Sequence, residues 1–317
     1  MISSGAARGL ARDAPAEPGT SGPCSGRHAH VVVTRLRRGR LPPSVKSFLK
    51  TVLPGPVVDG LKGARGRLRA VRARWSWPPP DLYVRLYRRH IRHLSDEDIV
   101  GEGQLFDLIG RIELGVLLAE GLRPTDTLVG LGCGTGRFAV HVIPFLAGGR
   151  YVGIEILDSI LEKARDRVAR HAAPPSPPCR VDWLKQTTNV FSLPDSSADV
   201  VCAFSVFTHM EHEDAYRYLK DARRVTRPGG KFLFSCLPMK HQAVYDIFLE
   251  SARDDLSQRW NKVRNVTTSE DLMESIAILA GWAPIRWYAG NACNIPLPGS
   301  GELAALGQSV CVLEAKA

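Results

Sequence analysis

The chain of 317 residues is 44% hydrophobic and 23% charged, enough for one large α/β domain with a sizeable core and too apolar for a wholly disordered chain. No run of about eighteen apolar residues is present to span a bilayer, and seven scattered cysteines without a CxxC pair fit neither a zinc knuckle nor a disulfide framework, so a reducing, cytoplasmic setting is expected. The net charge of +10 is uneven: residues 1–95 hold 19 Lys or Arg against four acids, while the remainder is mildly acidic, which disfavours nucleic acid as a partner of the main domain.

Residues 1–43 mix Gly, Ala, Ser, Pro and Arg without periodicity and read as a disordered tail. Arginine richness also suits a transit peptide, although Asp13 and Glu17 weaken that reading, and a start codon set too far upstream leaves the same signature. Residues 44–95 form a basic helical extension. Leu61, Ala64, Leu68, Val71 and Trp75 recur at helical spacing beside Lys62, Arg65, Arg69 and Arg72, before Trp77-Pro78-Pro79-Pro80 stops the helix. Two readings stand: a peripheral contact with an anionic membrane surface, or a solvated helix packed on the main domain.

Residues 96–317 form the main domain. Helices are expected at Tyr83–Leu94 and Glu102–Glu120, the second ending at Gly121. Strands then read at Thr127–Leu131, Tyr151–Ile156, Val181–Gln186, Ala198–Phe204 and Lys231–Leu237. The helices among them read at Gly136–Leu146, Ser159–His171, Asp214–Val225 and Ser269–Ala280. Such alternation predicts a doubly wound, Rossmann-like parallel sheet. Ala283–Tyr288 and Gln308–Glu314 follow with no helix between them and should pair antiparallel, giving a seven-stranded sheet with an antiparallel seventh strand. Residues 238–268 form a lid-like insertion.

The chemistry gathers at Gly130-Leu131-Gly132-Cys133-Gly134-Thr135-Gly136-Arg137, between a strand and a helix. Glycines at 132, 134 and 136 let the backbone turn sharply and approach a ligand, and a helix start offers unpaired N–H groups. Glu155, nineteen residues after Gly136, ends the next strand, where a carboxylate can accept from both hydroxyls of a ribose. A nicotinamide dinucleotide would want glycine at 137, where this chain has Arg137.

The GxGxG spacing resembles motif I of the class I S-adenosylmethionine-dependent methyltransferases. Gly153 to Arg165, Leu193 to Val201 and Leu219 to Lys231 resemble that family's second strand and helix, its approach to the fourth strand, and its turn into the fifth. The resemblance implies S-adenosylmethionine as cofactor. It places Gly132, Cys133, Gly134 and Gly136 under the methionine end, Glu155 on the ribose, Ile156 on the adenine, Asn189 at the adenine amino group and Phe204 closing the pocket. Arg111, on the covering helix, would either meet the cofactor's carboxylate or make a surface salt bridge. Cys133 need not react. Gly130 departs from the family, which usually has Asp or Glu there.

His209, just past the fourth strand, is the candidate general base, with a capping or packing role as the alternative. No Asp/Asn-Pro-Pro-Tyr/Phe follows that strand, no Pro-Cys pair sits there, and no acidic cluster suggests a metal. The expected function is therefore methyl transfer by in-line displacement to a small-molecule, sugar or lipid acceptor. A non-catalytic binding protein, suggested by Gly130, and a nicotinamide-dependent oxidoreductase are the alternatives.

Overall fold

The computed structural model describes residues 81–92 and 103–316. The expected tail over 1–43 and all of the extension over 44–95 except 81–92 lie outside those residues.

Helix α1 spans Leu82–Ile91 and α2 spans Gly103–Ala119. Strand β1 (Thr127–Leu131) leads to α3 (Ala139–Phe145), β2 (Arg150–Glu155) to α4 (Asp158–His171), and β3 (Arg180–Lys185) to β4 (Ala198–Ala203). A single 3-10 turn at Phe207–His209 precedes α5 (His212–Val225), which feeds β5 (Thr226–Pro238). The insertion carries α6 (Gln242–Ser251) and α7 (Leu256–Arg259) before the short β6 (Thr267–Thr268) and α8 (Glu270–Leu279). Last come β7 (Ala283–Tyr288), the small hairpin β8 (Ile295–Pro296) with β9 (Leu303–Ala304), and β10 (Ser309–Glu314).

The sheet runs β3-β2-β1-β4-β5-β10-β7, with β6 pairing on the end of β5. β10 is antiparallel to both β5 and β7, as the missing helix before it predicts. Central strands covered on both faces must be apolar throughout. In β1, Leu128 joins the core formed with α2 and α3, while Val129 joins the core formed with α5 and α8. Tyr151 and Val152 of β2 divide in the same way, following the two-residue period of a strand.

Three details differ from the sequence reading. Helix α3 begins at Ala139, not Gly136, because Gly136 sits at φ +89°, outside the helical region. Strand β5 begins at Thr226, five residues before Lys231. Pairing of Ala198 with Thr226 jumps to Val200 with Lys231, so the intervening Pro-Gly-Gly is accommodated as an irregularity rather than a break. The β8–β9 hairpin replaces a plain connection and packs on α2 so closely that a Cβ at Gly115 would lie 2.1 Å from the Pro296 carbonyl oxygen.

Candidate functional site

A cavity of about 590 Å³ opens beyond the carboxyl ends of the parallel strands, where doubly wound sheets hold their ligands. Its inner wall is the loop between β1 and α3. Gly132 and Gly134 there have φ +67° and +55°, a left-handed backbone that other residues reach only at a cost. A Cβ at Gly132 would stand 2.5 Å from a Val206 methyl group, so close packing as well as conformation requires glycine. Gly136 is set behind the loop against Ala164 and does not line the cavity.

Glu155 ends β2 beside that loop and is almost fully buried. Its carboxylate accepts from the Gly134 N–H at 3.1 Å and from the Ile156 N–H at 2.7 Å. Burial raises its pKa, and those backbone donors pull against the rise. Ile156 follows it on the cavity wall, half-buried. Phe204, from the end of β4, lines the cavity with its ring edge-to-face on Phe138, 5.9 Å between centroids. Cys133 is buried in the loop, and burial, with the nearby Glu155 charge adding to it, pushes its thiol far from ionisation.

Two expected contacts lie elsewhere. Asn189 does not line the cavity. Gln186 does, with its Nε2 donating to the Thr188 carbonyl at 2.9 Å and its buried Oε1 left without a partner. Arg111 does not line it either. Its guanidinium donates to the Pro298 carbonyl at 3.4 Å, toward the β8–β9 hairpin. The inward cation is Arg137, paired with Glu113 of α2; both side chains are buried in the cavity wall. Helical spacing explains the exchange, since residues 111 and 113 sit on different faces of α2.

The departure at Gly130 has a packing cause. A Cβ there would stand 2.8 Å from the Tyr151 hydroxyl oxygen, and Tyr151 is wholly buried. A side chain at 130 would require that phenol to shift.

His209 sits in the turn after β4, on the cavity rim. Its Nδ1 lies 3.1 Å from the Arg264 carbonyl oxygen. A carbonyl only accepts, so Nδ1 carries the hydrogen and Nε2 keeps its lone pair. The residue retains an exposed face. Exclusion of water from the rest of the ring nevertheless lowers its pKa, the Arg264 carbonyl opposing and His90 adding slightly. The same turn holds Ser205 at φ +56°, a strained non-glycine position fixed by a bond from its N–H to Ser235 Oγ at 2.7 Å. Gln308 Oε1 accepts from Ser235 Oγ at 2.7 Å and so ties the turn to β10.

The outer wall joins a helix that the sequence did not mark as part of a site to a stretch of the insertion read as lid-like. It consists of α1 and the segment after α7. Tyr83 donates to Asp214 Oδ2 at 2.6 Å and accepts from the Glu211 N–H at 3.1 Å, which fastens α1 to the start of α5. Arg89 donates to the Asn261 carbonyl at 3.2 Å. Tyr87 reaches inward, its pKa raised by burial and by the Glu155 and Cys133 charges. Trp260 is half-buried on the cavity wall, whereas Trp282 and Tyr288 are core residues.

Residues 129–234 match the family model described as a methyltransferase domain. A malonyl-[acyl-carrier protein] O-methyltransferase of Yersinia pestis is 31% identical over 132 residues, 42% of this chain and 40% of that protein. A ubiquinone/menaquinone biosynthesis C-methyltransferase of Methylobacterium nodulans is 33% identical over 39% of this chain and 48% of its own length. The chain therefore spans less than half the length of either curated relative. Among solved structures, the magnesium protoporphyrin IX methyltransferase of Synechocystis with bound SAH covers 75% of this chain and is itself covered fully, at a TM-score of 0.51 and 15% identity. At that identity the likeness concerns the fold.

Proposed function

We propose that this chain, whose residues 129–234 form a class I S-adenosylmethionine-dependent methyltransferase domain, transfers a methyl group to a small-molecule acceptor bound at the mouth of the cavity. The observation that carries the reading is the juxtaposition in one cavity wall of the left-handed Gly132 and Gly134, the buried Glu155 carboxylate and the His209 imidazole.

The cavity suits the cofactor on its own geometry. A cradle without side chains at 132 and 134 leaves room for close approach, Glu155 stands where ribose hydroxyls can donate, and Gln186 Oε1 is a buried acceptor lacking a donor, as an amino group would supply. When bound, the cofactor supplies an electrophilic methyl group on a sulfonium. The protein's part is to align the acceptor with it, and alignment alone can account for a large share of the acceleration. His209 takes the proton where the acceptor loses one, through Nε2, which its bond to the Arg264 carbonyl leaves free. Cys133 is too buried to act as a nucleophile.

An O- and a C-methyltransferase both stand among the relatives, so likeness does not fix the acceptor atom. Packing of Tyr151 accounts for glycine at 130. We place the enzyme in the cytoplasm. No helix among the described residues is long and apolar enough to cross a membrane, and the basic segment within 1–95 would serve as a peripheral contact with an anionic surface.

Calorimetric titration of the full chain with S-adenosylmethionine, S-adenosylhomocysteine and NAD tests the assignment. Binding of both sulfur nucleosides and not of NAD is expected, followed by methyl transfer across an acceptor panel. Silence with both would overturn it.

A further inference from the structure

We propose that the mouth of the cavity is an anion site centred on Arg259, and that the methyl acceptor carries a carboxylate or phosphate group held there; the acceptor half of this inference rests on the methyltransferase reading above.

Arg259 is the last residue of α7, half-buried in the outer wall. Its Nε is out of contact with water and has no hydrogen-bond partner, and its guanidinium makes no ion pair among the described residues. The charged groups beside it are otherwise engaged. Arg264 pairs with Glu211, Lys262 with Asp254 at 2.6 Å, and Asp81 with Arg85 at 2.8 Å. Asp255, one turn back from Arg259, spends its carboxylate on the Gln258 N–H and the Ser257 hydroxyl. With those pairs formed, Arg259 is a cation of the outer wall with no ion-pair partner among the described residues; the exposed Asp255 carboxylate one turn back attracts it without contacting it, and His90 and His209 add no negative charge.

A guanidinium cannot shed its proton to escape burial, so it is relieved only by an acceptor. Its planar fork matches the two oxygens of a carboxylate or the edge of a phosphate, and it binds either more specifically than a lysine does. Trp260 and Met210, on the same wall, offer apolar surface to the body of such a molecule. The arrangement therefore selects acceptors with an apolar portion and an anionic group, and disfavours neutral sugars and simple phenols.

The test uses the full chain, with and without saturating S-adenosylhomocysteine, titrated with malonate, with inorganic pyrophosphate and with neutral malonamide, for the wild type and Arg259→Gln. At least one oxyanion should bind the wild type, malonamide should not, and Arg259→Gln should weaken oxyanion binding about tenfold or more while melting temperature and S-adenosylhomocysteine affinity stay unchanged. Comparison between variants cancels anion binding by the basic residues of 1–95. Preference for pyrophosphate marks a phosphorylated acceptor, and preference for malonate a carboxylate. If Arg259→Gln melts lower, Arg259→Lys keeps the charge without the fork and should show an intermediate loss.

No oxyanion binding, or equal binding by Arg259→Gln, overturns the proposal. So does a variant that loses affinity for S-adenosylhomocysteine but not for 5′-methylthioadenosine, since that places the guanidinium on the cofactor's own carboxylate. Failure of S-adenosylhomocysteine to bind the wild type overturns the methyltransferase reading instead, and the titrations of the unliganded chain then decide the anion site by the same criteria.

Discussion

Glu155 is a buried carboxylate at the end of β2, proposed above as the ribose contact. Burial disfavours its charge, and backbone donors at Ile156, Gly134 and Leu157 favour it. Glu155→Ala should weaken cofactor binding at least tenfold, about 1.4 kcal/mol, through loss of charge-assisted hydrogen bonds. Unchanged affinity by calorimetry would show that the ribose contact lies elsewhere. His209 gives a pH signature. Its pKa is lowered from 6.5, so the ring is neutral at pH 7 and the base form persists into mildly acidic solution. Turnover should fall as pH drops through that lowered value. The unfolded chain protonates this histidine at higher pH than the folded one, so its contribution to stability is lost over the same acid window. His209→Gln should abolish the acid limb and cut turnover while sparing cofactor affinity; a retained limb would remove the ring from proton transfer. Residue-scale legibility followed the backbone. Glycines and the strand-end carboxylate announce themselves by local constraints, so Gly132, Gly134 and Glu155 were readable. Gln186 and Arg137 were not, because which side chain turns inward from a loop or helix is settled by packing between elements distant in sequence.

Among the elements, α1 is held to the rest of the site by few bonds. Tyr83 bridges it to Asp214 and to the Glu211 N–H, the second of which would otherwise go unbonded at the start of α5. Tyr83→Phe removes both and should cost about 1–2 kcal/mol locally. Hydrogen exchange would show faster exchange over 82–91 with the sheet unaffected; uniform loss of protection would mean that α1 is part of the global unit. The alternation from β1 to β5, and α8 after it, was legible because those elements carry their own hydrophobic periods, whereas α6, α7 and β6 within the insertion were not read. The entry into β5 was not, since Pro228 and two glycines look like a break, and only pairing with β4 on one side and with Ala315 on the other carries the chain through them. The β8–β9 hairpin escaped because two-residue strands have no period to detect.

For the whole molecule, charge and chemistry separate along the chain. The basic excess belongs to residues 1–95, while the described cavity wall starts at Asp81. Removing residues 1–80 should therefore leave cofactor affinity unchanged, measured by calorimetry, and lower retention on anionic vesicles. A large loss of affinity would mean that the extension contributes to the site. Topology was readable as a whole because a single helix-free step before the final strand fixes its direction against β5 and β7. The make-up of the mouth was not, since α1 and the segment after α7 meet there from positions some 170 residues apart, as the bond from Arg89 to Asn261 shows. That shared enclosure has a kinetic consequence. The glycine loop lies on the inner wall and Arg259 on the outer one, so an acceptor held at the mouth, as proposed above, would stand between the cofactor and solvent. Addition should be compulsorily ordered, cofactor first and demethylated cofactor last out. S-adenosylhomocysteine should then inhibit competitively against S-adenosylmethionine and noncompetitively against the acceptor, and a random pattern would mean that the two ligands have separate doors.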